Sequence, residues 1–163
     1  MKTCVLLAAA AAAGYAIAPK PSTYTDGTYG FTIQAPPFAV AAEGSSALRV
    51  LMFDPAESGF SANVNVVVQH VSMTADEYRD LTLKQFKEAG FKLHTDSKKK
   101  VSGRDALVFD YEGTQQGQEM RFLSLAVIEK SRVFLATCTA LKADFEKQAK
   151  GFNECLDSLT FTD

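Results

Sequence analysis

The chain has 163 residues, 47% apolar and 22% charged, with no tryptophan and a formal net charge of −2. That is the length and composition of one ordinary globular domain. A charge so close to neutral excludes the global basic field of a nucleic-acid binder and supplies no strong pull toward a membrane surface.

Residues 1–16 read as a secretory signal peptide. Lys2 gives a short positive start, Val5 to Ala13 is an uninterrupted apolar run, and Gly14 and Ala16 place small residues where a signal peptidase cuts. Cleavage is expected after Ala16. Ala16 and Ala18 form a second cleavage box, but Pro19 would then follow the cut. A membrane helix needs about 20 apolar residues, and this run ends at Pro19; an uncleaved anchor is the competing reading. A lipoprotein signal would carry its cysteine after the apolar stretch, whereas Cys4 precedes it. Cleavage leaves about 147 residues with a net charge of −3, bound for a periplasm or the exterior.

Residues 17–23 read as a linker and residues 24–162 as one domain. The segment from Tyr24 to Ala35 opens it as a hairpin punctuated by Gly27 and Gly30, with Phe31 and Ile33 alternating against Thr32 and Gln34. Pro36 and Pro37 stop it, since proline cannot donate to a sheet ladder. Phe38 to Ser46 reads as a loop and Leu48 to Phe53 as a strand closed by Asp54 and Pro55. From Phe60 to His70 the alternation is cleanest. Phe60, Ala62, Val64, Val66, Val68 and His70 fall on one face, and Ser61, Asn63, Asn65, Val67 and Gln69 on a mostly polar outer face.

A helix follows. Thr74 and Glu77 have capping-box spacing, with Ser72 a competing cap. Tyr78, Leu81, Gln85, Phe86 and Ala89 share one side, and Gly90 sits where a left-handed cap belongs. Four strands are expected at Phe91–Thr95, Ala106–Glu112, Met120–Ile128 and Arg132–Thr139, with turns at Ser102-Gly103, Gly113 to Gly117 and Lys130-Ser131. The last helix spans about residues 142–158, with an apolar stripe of Phe145, Ala149, Phe152, Cys155, Leu156 and Leu159. Gly151 within it, which costs about 1 kcal/mol against alanine, suggests close packing there or nothing more than tolerance. Short loops between strands imply antiparallel neighbours. The fold class is therefore α+β, an antiparallel sheet with two packed helices.

The order of these elements resembles the PsbP-like and DcrB-like domains, which share a fold with the Ran-binding nuclear import factor. The resemblance covers residues 24–162 and is carried by "YGFTIQAPPF", "FSANVNVVVQHV", "SMTADEYRDLTLKQFKEAGF", "VSGRDALVFDYEG" and the closing "RVFLATCTALKADFEKQAKGFNECLDSLTF". It implies an α/β/α sandwich and a role in binding other proteins, in assembly, or as an exported envelope component. It supplies no catalytic motif, and this chain lacks the lipobox of many bacterial members.

The residues offer little chemistry. No G-x-S-x-G, GxGxxG or P-loop is present. Cys138 and Cys155 each fall on an apolar face. This favours inert thiols or, in an oxidising compartment, a disulfide between them, since the returning helix brings Cys155 near the level of Cys138. His70 and His94 have no metal-ligand spacing and read as residues at strand ends. Asp76-Glu77 and Asp110-Glu112 are paired carboxylates, better explained by helix polarity and an outward strand face than by glycosidase chemistry. Lys98, Lys99 and Lys100 with Arg104 form the one charge run. It is either an interaction patch for an anionic partner or lipid headgroup, or a solvated hairpin end. The expectation is an exported non-catalytic module with no cofactor and no metal, contacting a protein partner in the cell envelope. The alternative is a carrier of a small apolar or lipidic ligand, and peripheral membrane contact fits either.

Overall fold

A computed structural model describes residues 23–53 and 59–162. The expected leader at residues 1–16, the linker up to residue 22 and the Asp54-Pro55 stop lie outside the described residues. The chain runs through β1 (Thr23–Asp26), β2 (Phe31–Gln34), β3 (Val40–Glu43), β4 (Leu48–Phe53) and β5 (Asn63–His70) into α1 (Ala75–Glu88). Four long strands follow, β6 (Lys92–Val101), β7 (Arg104–Gln115), β8 (Gln118–Glu129) and β9 (Arg132–Leu141), then α2 (Phe145–Asp157) and β10 (Thr160–Phe161). A seven-stranded antiparallel sheet has the order β3-β4-β5-β9-β8-β7-β6, and β1-β2-β10 form a smaller sheet.

The four-strand meander is closed by two-residue turns with positive φ at both positions: Ser102-Gly103, Gln116-Gly117 and Lys130-Ser131. Such turns match the right-handed twist of the strands they join. The loop expected from Gly113 to Gly117 shrinks to this turn, because β7 continues through Gly113 to Gln115. The segment read as a loop over Phe38 to Ser46 contains β3, which pairs with β4 from Val40↔Phe53 to Glu43↔Val50.

On one face, α2 and the small sheet bury Phe31, Ile33, Phe152, Leu156 and Leu159 against Val50, Met52, Val64, Val66, Leu125 and Ala136. Gly151 of α2 lies over Pro36 and Pro37, where an added Cβ would meet Pro37 Cδ at 3.5 Å, an ordinary contact. The close packing expected there does not require glycine. Gly151→Ala should therefore stabilise the fold by up to about 1 kcal/mol, read as a higher urea midpoint at unchanged slope.

On the other face lies α1. Thr74 is its N-cap, and both arms of the capping box to Glu77 are made. Past its other end Gly90 adopts the left-handed conformation, with φ at +73°. The Phe91 amide donates to the Phe86 carbonyl at 2.8 Å and the Gly90 amide to that of Lys87 at 3.2 Å, a Schellman motif. The buried side of α1 is Tyr78, Thr82 and Phe86. Ala89, expected on that side, is exposed, and Leu81 is half-buried. Thr82 takes the inner position because its hydroxyl donates to the Tyr78 carbonyl one turn back at 2.8 Å, which removes its need for water. Phe86 stacks on Tyr111 (4.1 Å), which stacks on Phe122 (4.8 Å).

A buried ion pair joins the two sheets. Asp26 of β1, 3% exposed, accepts from Arg49 Nε of β4 at 2.7 Å and from the Thr28 and Tyr29 amides at 2.9 Å each. Burial alone would raise the Asp26 pKa, but Arg49 and these amides outweigh it and hold the carboxyl below its ordinary 3.8.

Candidate functional site

The face of β5 expected to point outward does not. Asn63 and Asn65 are 5% and 4% exposed, and Val67 is buried with them. Alternation places these residues correctly on one face; that face belongs to the interior. It is the face on which α1 lies, and register carries its polarity across the sheet. One row runs Leu51–Asn65–Thr137–Ser124–Phe109 and the next Phe53–Asn63–Thr139–Phe122–Tyr111. Ser124, Thr137 and Thr139 are also buried.

These side chains form a strip about 14 Å long from β7 to β5 at the usual strand spacing. Tyr111 Oη lies 3.3 Å from Ser124 Oγ, and Ser124 Oγ donates to Thr137 Oγ1 at 3.2 Å. Asn63 Nδ2 donates to the Ser61 carbonyl at 3.1 Å. Part of the remaining capacity is unmet. Among the described residues, the buried side-chain atoms without a hydrogen-bond partner are Asn63 Oδ1, Asn65 Oδ1 and Tyr78 Oη. Each such group costs about 1–3 kcal/mol; two stand on this face of β5, and the third reaches from α1 to the Tyr111 end of the strip. Aromatic rings of Phe86, Phe91, Phe109 and Phe122 flank the strip on one side, and Ala42, Leu51 and Phe53 on the other.

The strip is electrically neutral. Burial pushes Tyr111 up to about 12, against a smaller opposing effect of Ser124. Burial also raises Tyr78 well above its usual value; Tyr111 adds to the rise and the Thr82 side chain opposes it. Both phenols therefore keep their protons at any physiological pH. Replacing Asn65 with leucine removes an unmet acceptor, and should raise stability by about 1–2 kcal/mol in a denaturant titration.

The residues singled out in the sequence sit elsewhere. Lys98, Lys99 and Lys100 lie in the last part of β6, an edge strand, where it approaches the Ser102-Gly103 hairpin turn. Lys98 Nζ is 2.8 Å from Asp76 of α1, Lys99 pairs with Asp157 of α2, and Lys100 Nζ is 2.8 Å from Asp105. Arg104 Nε is 2.7 Å from Glu129, and its guanidinium stands 4.5 Å from the Phe161 ring centre. Each cation of the run thus carries a carboxylate, and the lysines reach toward both helices. Lysines along an exposed edge also discourage another strand from pairing there.

His94 Nε2 lies 2.9 Å from Glu112, which also meets Lys92 (3.4 Å) and Lys142 (3.3 Å) beside a surface hollow of about 170 Å3. His94 first, then the two lysines, overcome desolvation and bring the Glu112 pKa down to about 2. His70 is exposed at the end of β5. No group of three or more metal-ligating side chains occurs among the described residues. Asp110 is gripped by Arg121 through both carboxylate oxygens (3.0 and 2.9 Å), and Asp76 and Glu77 serve Lys98 and the α1 cap.

Cys138 and Cys155 are both buried, free thiols. They share the core between β9 and α2, where Cys138 Sγ approaches the Phe152 carbonyl at 3.9 Å. Burial raises the Cys155 thiol to about 12 and lifts Cys138 well above its ordinary value, so neither is poised as a nucleophile.

A seven-stranded antiparallel sheet between one helix and a helix-plus-small-sheet layer is the α/β/α sandwich of PsbP-like proteins. The chain belongs to the DcrB family, whose model matches residues 20–158. Its fold is similar to that of the cyanobacterial PsbP protein of Synechocystis sp. PCC 6803 (TM-score 0.63, 14% identity), over 96% of this chain and 99% of that one. It is also similar to LpqN of Mycobacterium tuberculosis, described as involved in cell envelope biogenesis (TM-score 0.71, 14% identity, 86% and 90% covered). A third similar structure is a Pseudomonas aeruginosa protein of unknown function described as a putative regulator (TM-score 0.57, 18% identity, 89% and 99% covered). No curated protein matches the sequence. No helix among the described residues is long and apolar enough to cross a membrane.

Proposed function

We propose that this chain is an exported, non-catalytic binding module of the cell envelope, and that it holds its occupant on the α1 side of the large sheet. The observation that carries this reading is the pair of unpartnered oxygens of Asn63 and Asn65 on one buried face of the sheet, with that of Tyr78 on the helix above it. A fold optimised only for stability would fill those positions with apolar side chains. Unmet polarity of this kind calls for a complement, and a bound occupant would supply it. The envelope setting draws support from the signal-peptide grammar of residues 1–16 and from the description of the similar mycobacterial protein. The non-catalytic reading draws support from the ionisable groups. The buried tyrosines and thiols titrate far above neutrality, and the carboxylates weighed as catalytic pairs serve ion pairs or a helix cap.

The test is recovery of the full-length gene product from its own cells under native conditions. The expected result is a chain in the exported fraction, shortened by its leader, that releases one species on denaturation. A full-length cytosolic chain that releases nothing contradicts the reading.

A second reading, contact with a protein partner, is favoured by β6. This ten-residue strand ends the sheet, is exposed along most of its length, and bears Leu93, 39% exposed and the one large apolar side chain so exposed among the described residues. A photo-crosslinking residue at position 93 should then capture one partner, and that partner should shield the β6 amides from hydrogen exchange. Capture with no such shielding counts against it.

A further inference from the structure

We infer that the polar strip takes an uncharged amphiphile whose head carries hydroxyl groups, the hydroxyls donating to Asn63 Oδ1 and Asn65 Oδ1. The inference rests on the binding-module reading and narrows it to a ligand class. Three observations fix the chemistry.

The first is the sense of the unmet groups. Asn63 Nδ2 is already committed to the Ser61 carbonyl, so its free atom is the acceptor, and a ligand must donate to it. The second is the absence of formal charge. Asn63, Asn65, Ser124, Thr137, Thr139, Tyr78 and Tyr111 include no acidic or basic side chain. A phosphate, carboxylate or ammonium set among them would be buried without a counter-charge. The third is the surroundings. The strip lies between an aromatic cluster and the Ala42, Leu51 and Phe53 cluster, so the body of a ligand that reaches it meets apolar walls.

The three oxygens are covered, so entry requires the layer over the sheet to part from it. The side-chain links from α1 to β6 are ion pairs, Arg79 with Asp96 and Lys98 with Asp76, with Lys98 and Asp76 largely exposed. These links are weak, but Tyr78 and Phe86 also hold α1 to the sheet, so entry parts the helix from the aromatic cluster as well.

The experiment is an amide NMR titration of the isotope-labelled protein with 1-monooleoylglycerol. Oleoyl lysophosphatidic acid, with the same acyl chain and a charged head, serves as the comparison. The expected result is saturable shifts at Asn63, Asn65, Ser124, Thr137 and Thr139, with the charged lipid binding at least about tenfold more weakly. Asn63→Leu/Asn65→Leu should lose about tenfold in affinity for the neutral lipid. Asn65→Ala, which removes the acceptor without adding volume, should also weaken it. Equal affinity for the two lipids, variants that bind as the parent does, shifts confined to other residues, or no shifts at all would each overturn the inference. If the native occupant is instead a peptide or a charged lipid held at Asn63 and Asn65, this inference fails and the binding-module reading stands. If the double variant keeps its native occupant, both fail.

Discussion

Arg49→Ala is expected to destabilise the fold by about 3–5 kcal/mol, because it breaks a buried ion pair by removing one partner. The loss comes from what remains rather than from what is removed. Asp26 has a side chain 1% exposed and would keep its charge in the interior with the Thr28 and Tyr29 amides and a long 3.4 Å bond from the Tyr24 hydroxyl to hold it. The pair also fastens the small sheet to β4, so its loss loosens one wall of the α2-side core. The sign of the pH dependence follows from the lowered Asp26 pKa. The folded carboxyl titrates below the ordinary 3.8 of the unfolded chain, so its stabilising contribution is fully present above that value. It is lost as the pH falls through the folded value. The gap between parent and variant should therefore be full at neutral pH and shrink below about 4. Chemical denaturation at a series of pH values measures this, and a gap that stays constant into acid would place its origin elsewhere.

Gly113→Ala should cost about 2–3 kcal/mol, although alanine is normally harmless in a strand. An added Cβ would lie 1.9 Å from Phe91 Cδ1 and 2.4 Å from its Cε1. Phe91 cannot swing aside cheaply. It is stapled to Phe86 across the Schellman motif and packs on Tyr111 (5.5 Å) and Phe122 (5.7 Å). The clash therefore propagates into the aromatic cluster that seats α1. Phe91→Leu should relieve it, and the double variant should lose clearly less than the sum of the single losses. Additive losses would show that the ring does not transmit the strain.

What the sequence disclosed and what it hid follow physical lines. The ends of α1 were legible because a capping box and a left-handed glycine are local signals, complete within a few residues. The long strands were legible through alternation and their turns, although the Lys98–Lys100 run masked the second half of β6. Edge lysines satisfy their charge through carboxylates on distant elements, and no local rule reveals that. β3 was hidden because its small residues carry no strong strand preference and it exists only by pairing with β4. β10, two residues long, depends likewise on β2. The buried strip was hidden most fully. Alternation reveals that Asn63, Asn65 and Val67 share a face, but not whether a second layer covers it, and polar residues argue for water. Val67 within the polar face was the one available sign of a covered surface. Thr82 misled for the same reason on α1, a polar side chain whose partner is its own helix.

The binding face is tested most directly by native mass spectra of the protein and of its Asn63→Leu/Asn65→Leu variant, each recovered from its own cells without reducing agent. The parent is predicted to appear heavier than its mature chain and to shed an uncharged species on activation. The variant is predicted to carry clearly less of that species, while withstanding more denaturant than the parent. The same spectrum reads the state of Cys138 and Cys155, since a bond between them lowers the mass by about two daltons. A bare parent, or a variant that retains the same species as fully as the parent, would contradict the assignment of the strip as the site where this protein does its work.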